Sequence, residues 1–133
     1  MKFGRTIFAQ LLDFVPMHEF NKCVARYEGN KRVSKFSCYD QFLAMTFAQL
    51  TQCDSLRAIE ACFRVARPRL YHSGLRGRVT KSTLADANNK RDWRIYSEFA
   101  YALIAEARQL NSEEKIAVDL KRDIYALDST TID

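Results

Sequence analysis

Proline and glycine are scarce in this chain of 133 residues, with two of the first and four of the second. That scarcity excludes collagen-like repeats and Gly/Pro-rich low-complexity sequence. An apolar content of 47% excludes a chain too polar to fold. No uninterrupted apolar run approaches the roughly 20 residues that a membrane-spanning helix needs. The N-terminus, Met1-Lys2-Phe3-Gly4-Arg5, is followed by neither an apolar stretch nor a small-residue cleavage site, so no secretory signal is expected. A cytoplasmic protein with no membrane partner is the expectation. The four cysteines, Cys23, Cys38, Cys53 and Cys62, form no CxxC pair, and His18 and His72 share no ligand spacing with them. They read as reduced, structural thiols, with a zinc site or a disulfide framework as the poorer alternative. What is left is one largely helical globular unit, long enough to bury roughly two-thirds of its unfolded surface.

Charge is unevenly spread. Residues 1–60 hold eight cations against six acids, a net +2, and residues 95–133 hold four against eight, a net −4. Residues 61–94 hold nine cations against Asp86 and Asp92, a net +7, and seven of the nine are arginine. Such a segment is the electrostatic footprint of a phosphate-binding surface. An acidic protein partner, or a face that is merely solvated, would carry the same excess.

Apolar spacing reads as a series of helices. Phe3, Ile7, Phe8, Leu11, Leu12 and Val15 predict a helix closed by Pro16. Phe20, Val24 and Tyr27 predict a second over about 17–27, ended by Gly29, and a polar basic loop follows over 30–35. Ser37 with Asp40 three residues on is a capping box, and Phe42–Leu50 is apolar nearly all round, as a central core helix is. Asp54 or Ser55 should cap the next helix, which carries Leu56, Ile59, Phe63 and Ala66 on one stripe and should stop at Pro68. The stretch 68–80, with Gly74 and Gly77, reads as a loop. A short helix over 81–90 has a thin stripe, Leu84 and Ala87. Asp92 should cap a long helix to about Leu110, with Trp93, Tyr96, Ala100, Leu103 and Ala107 on one side and Phe99 and Ile104 widening it.

The short helix suits a helix-turn-helix-like DNA reader. Leu84 and Ala87 would dock it, leaving Lys81, Ser82, Thr83, Asn88, Asn89 and Lys90 for phosphates or base edges. Arg64, Arg67, Arg69, Arg76, Arg78 and Arg91 would contact phosphates. The linker of residues 67–80 is far longer than a helix-turn-helix turn, and a capped surface helix with a wet polar face reads equally well from periodicity alone.

After Asn111 the period falls to two: Ile116, Val118 and Leu120 alternate with Ala117, Asp119 and Lys121. A β-prone run, Ile124-Tyr125-Ala126-Leu127, leads into Asp128. A carboxylate at the end of a buried strand is a place where ribonuclease H-like nucleases hold a metal, although a lone Asp there is more often a strand-end residue. Residues 1–111 are thus expected as the helical DNA-binding part and 112–133 as the start of a second domain.

Four stretches together resemble the N-terminal region of bacterial insertion-sequence transposases of the Asp-Asp-Glu, cut-and-paste type. They are Phe36-Ser37-Cys38-Tyr39-Asp40-Gln41-Phe42, Asp54-Ser55-Leu56-Arg57-Ala58-Ile59-Glu60, Ser82–Asn88 with Arg91–Tyr96, and Tyr125–Asp133. The resemblance runs from about Phe8 to Asp133. It implies a helical domain that binds double-stranded DNA at terminal inverted repeats, ahead of a ribonuclease H-like catalytic domain. Asp128 falls in the Leu-Asp-Ser-Thr-Thr motif and matches the first triad carboxylate, a Mg²⁺ ligand in the intact enzyme. The second Asp, the Glu and the Tyr-Arg-Glu-Lys-type signature are missing from this sequence. The chain is therefore expected as a truncated transposase, without a cofactor of its own and inactive as a nuclease. A dimerisation or regulatory module that inhibits the intact transposase by mixed assembly, working through the apolar helices at 3–15 and 93–110, is the alternative, and a homodimer is a further expected partner.

Overall fold

The structure, a computed structural model, describes residues 6–75 and 77–111. Six α-helices and two 3-10 turns account for most of them, and the described residues include no strand. The chain is mainly helical, as expected. The strand-like segment read from 112–133, Asp128 included, lies outside the described residues.

Helix α1, Ile7–Leu11, starts at Thr6, whose hydroxyl accepts from Ala9 N at 3.2 Å. It passes at once into a 3-10 turn, Leu12–Phe14. The helix expected to reach Val15 is therefore shorter. Pro16 restricts the residue before it to extended backbone, and Val15 has φ −73° and ψ 120°. Phe8 and Leu12 pack inward, whereas Ile7 and Phe14 are exposed.

Helix α2, Met17–Arg26, buries Phe20, Cys23 and Val24. It ends in a Schellman motif: Glu28 N donates to Ala25 O at 3.2 Å and Gly29 N to Val24 O at 2.9 Å. The left-handed residue is Glu28, at φ 48°, and Gly29 lies beyond the helix end as expected. Gly29 is needed for room. A Cβ there would lie 2.5 Å from Ile95 Cδ1 and 2.7 Å from Cys38 Sγ.

Helix α3, Cys38–Leu50, begins with the expected capping box: Asp40 N donates to Ser37 Oγ at 3.1 Å and Ser37 N to Asp40 Oδ2 at 2.7 Å. Its nearly all-round apolarity has a cause in the packing, because it serves two cores. Leu43, Ala44 and Ala48 face Ile59, Phe63, Leu70, Leu75, Val79 and Leu84. Cys38, a turn earlier, joins Phe20, Cys23, Val24, Ile95 and Phe99, and Tyr39 packs against both groups.

Helix α4, Leu56–Leu70, is capped by Ser55, whose hydroxyl accepts from Ala58 N at 3.1 Å. Pro68 does not stop it. The helix runs two residues further, and a 3-10 turn, Tyr71–Ser73, continues to Gly74 at φ 90°. Pro68 is exposed and lacks the N–H that would bond the Arg64 carbonyl, while Leu70 is drawn into the core.

Helices α5, Lys81–Lys90, and α6, Arg94–Leu110, complete the body. Asp92, the expected cap, stands one residue before the N-cap Trp93, and its Oδ1 accepts from Arg94 N at 3.0 Å. The buried stripe of α6 is rotated from the expected one. Ile95 and Phe99 are buried and Tyr96 and Leu103 partly so, while Trp93, Ala100, Ile104 and Ala107 are exposed. Ile95, Phe99 and Leu103 recur every four residues, the edge α6 lays along α2, with the Phe99 and Phe20 ring centroids 5.1 Å apart. Trp93 precedes the helix, so its place in the stripe was lost.

Candidate nucleic-acid interface

Helix α5 is held at three points. Thr80 caps it, its hydroxyl accepting from Thr83 N at 3.2 Å. Glu60, on α4, accepts from Lys81 N through Oε2 at 3.0 Å, so a carboxylate sits where the helix dipole favours one. At the far end Gln41, buried on α3, donates to Asn88 Oδ1 at 2.6 Å. Leu84 and Ala87 are buried beneath, the thin stripe doing the docking expected of it. Lys81, Ser82, Asn89 and Lys90 remain exposed. Thr83 is half-buried, its hydroxyl 2.8 Å from that of Thr80. Asn88 is exposed but has its carbonyl oxygen committed to Gln41.

The basic segment divides into two groups. Arg64, Arg67 and Arg78 line one cavity of about 200 Å³, walled by Phe63, Leu75 and Val79 and containing Glu60. Glu60, Arg64 and Arg67 stand at i, i+4 and i+7, one face of α4. None of the three arginines has an ion-pair partner among the described residues. The Lys81 ammonium, at the start of α5, is likewise without one. Three guanidinium groups against one carboxylate leave this recess cationic.

The second group is engaged elsewhere. Arg91 turns inward: its guanidinium donates to Phe36 O, to Ser37 O at 3.0 Å and to Gln41 Oε1 at 2.8 Å, and lies 5.5 Å from the Phe36 ring centroid. It fastens the loop before α3 to the end of α5, a role that leaves it few donors for phosphate. Arg94 bonds Asp92 at 2.6 Å and stacks 4.7 Å over the Tyr27 ring. That bond holds the Asp92 carboxyl below the usual range. Lys90 is 3.9 Å from Asp86, an exposed pair worth little. Arg69, two residues beyond Arg67 and so about 200° round the helix, is exposed on another side of α4 and does not line the recess. Arg76 lies outside the described residues.

Two residues that matter to the site, Glu60 and Gln41, are not among the site residues expected from the sequence, although both lie in stretches that resemble the transposase family. A third set, Lys31 and Arg32, stands across a wider cavity of about 480 Å³ from Thr83, Asp86 and Lys90. Among the described residues no cluster of His, Cys, Asp or Glu is placed to hold a metal ion, and the Mg²⁺ expectation rests on Asp128 alone. None of the described helices is long and apolar enough to cross a membrane.

A helical domain with an arginine-lined recess beside a short, firmly anchored helix is the class that the fold and site define. The chain belongs to the family described as a domain of unknown function, DUF4372, which matches residues 3–76. That match takes in α1 to α4, with Arg64 and Arg67, and stops short of α5. No curated protein matches the chain, and no solved structure does.

Proposed function

We propose that this chain is the DNA-binding N-terminal portion of an insertion-sequence transposase and recognises double-stranded DNA at terminal inverted repeats. One observation carries the proposal: Arg64, Arg67 and Arg78, from two separate segments, converge on one recess without ion-pair partners among the described residues. The motifs that resemble the transposase family supply the class of DNA. The recess and the Lys81 ammonium grip the backbone, and the exposed Ser82 and Asn89 of α5 are offered to base edges. Asp128 enters only as the family's first carboxylate, and no cleavage step is derived from it.

About four phosphate contacts would give log K against log salt a slope of roughly −4. Titration of the full chain with terminal-repeat and random duplexes at several salt concentrations tests this. Arg67→Ala should shallow the slope by about one unit. Failure to bind either duplex at low salt defeats the proposal.

A dimerisation or regulatory module is the second reading, and the exposed apolar side chains favour it. Ile7 is 78% exposed, Phe14 80% and Trp93 71%. Light scattering that finds only monomer removes its dimerisation version.

A further inference from the structure

Cys53 and Cys62 stand apart from the other two cysteines. Their sulfur atoms are 3.4 Å apart, with Cys53 Sγ–H directed at Cys62 Sγ. Both are partly exposed, whereas Cys23 and Cys38 are buried. Cys53 is fixed by the end of α3, its N–H donating to Ala48 O at 2.9 Å, and Thr51 Oγ1 lies 3.4 Å from its sulfur. Cys62 belongs to the second turn of α4, two residues before Arg64. The contact is thus held from both sides by ordered backbone. A disulfide needs sulfurs at roughly 2.0 Å, an approach of about 1.4 Å that side-chain rotation shares between the two residues.

We propose that Cys53 and Cys62 form a two-electron oxidation site for hydrogen peroxide, closing to an intramolecular disulfide. The Cys53 thiolate attacks one peroxide oxygen. The O–O bond breaks, the departing hydroxide takes up a proton as water, and Cys53 becomes a sulfenic acid. Cys62 Sγ then attacks the Cys53 sulfur, the S–O bond breaks, and the hydroxide leaves with the Cys62 proton as a second water. Two thiols lose two electrons and one peroxide gains them. Its Cys53 partner first, and then burial, hold the Cys62 thiol above the usual range, so the second step rests on the 3.4 Å approach of the two sulfurs and not on a ready thiolate. The bridge ties the segment just after α3 to the helix that carries Arg64 and Arg67, and the site stands whether or not the chain binds DNA.

The test treats the folded full chain with hydrogen peroxide, blocks remaining thiols with iodoacetamide, and maps the tryptic peptides. Cleavage after Arg57 separates the two cysteines, so only a bridge keeps their peptides joined. Expected are the loss of two hydrogen atoms, complete loss of labelling at Cys53 and Cys62 reversed by dithiothreitol, and Cys23 and Cys38 labelled only on unfolding. In Cys62→Ser, a sulfenic acid trapped by dimedone at Cys53 is expected. Separate alkylation of both cysteines after peroxide, or a disulfide between two chains, overturns the proposal, and neither readout requires a variant to fold.

Discussion

The buried Oε1 of Gln41 accepts from Arg91 Nη1 at 2.8 Å, and from Tyr96 Oη at 2.7 Å, while the amide nitrogen of the same side chain donates to Asn88. One side chain on α3 therefore holds the ends of α5 and α6 together. Gln41→Met keeps the volume but removes three hydrogen bonds from a buried network, and should cost about 2–4 kcal/mol in urea unfolding. Tyr96→Phe should cost about 1 kcal/mol. A loss under about 0.5 kcal/mol for Gln41→Met, the size of an ordinary surface change, would refute this account.

Gly29 and Gln52 make opposite predictions at two similar helix ends. Gly29→Ala drives a methyl onto Ile95 and Cys38, and should destabilise by about 1–3 kcal/mol. Gln52 occupies the left-handed position of the Schellman motif that ends α3, at φ 55°. Gln52→Gly relieves that strain and should stabilise by about 0.5–1 kcal/mol. Thermal midpoints moving in the same direction for both would be incompatible with these roles.

Glu60 is the one acid in the arginine recess, and its charge opposes an entering phosphate. Glu60→Gln retains an oxygen to accept from Lys81 N, so the fold should survive. Duplex affinity at low salt should rise by about threefold to tenfold, the effect of about 1 kcal/mol of repulsion removed, and should shrink as salt is added. Unchanged or weaker binding would place the DNA away from this recess.

Alkaline pH should unfold the protein earlier than its lysines and arginines alone would. Tyr96 and Tyr39, by burial first, and Tyr27, by its bond to Glu98 first, are held above their ordinary value of 10. Burial likewise raises the Cys38 and Cys23 thiols. A group raised on folding adds stability below its unfolded pKa and loses it as pH climbs toward the folded one, so the urea midpoint should fall from about pH 9 upward. Tyrosinate absorbance should rise at higher pH in the native protein than in urea. Coincident curves would contradict these shifts.

Much that depends on near neighbours in the chain is legible in the sequence. The Ser37–Asp40 box, the Ser55 cap and the docking pair Leu84 and Ala87 are of this kind. The bonds that set the site span 21 residues from Glu60 to Lys81 and 50 from Gln41 to Arg91, and no local pattern announces them. Counting charge treated nine cations alike. Geometry separates Arg64, Arg67 and Arg78 from Arg91 and Arg94, whose guanidinium groups are already occupied. Pro68 misled because a proline near the end of a helix removes one bond only, and burying Leu70 outweighs it.

Because α3 is walled on one flank by the Leu43 cluster and on the other by the Cys38 cluster, neither half of the molecule can melt and leave its neighbour a complete interior. Amide protons along Leu43–Ala48 should therefore be the slowest to trade with deuterium, at a rate set by global opening rather than by any partial excursion. Nicking the chain in the connection 30–36 should release no folded remnant, only a protein that holds together or one that is lost entire.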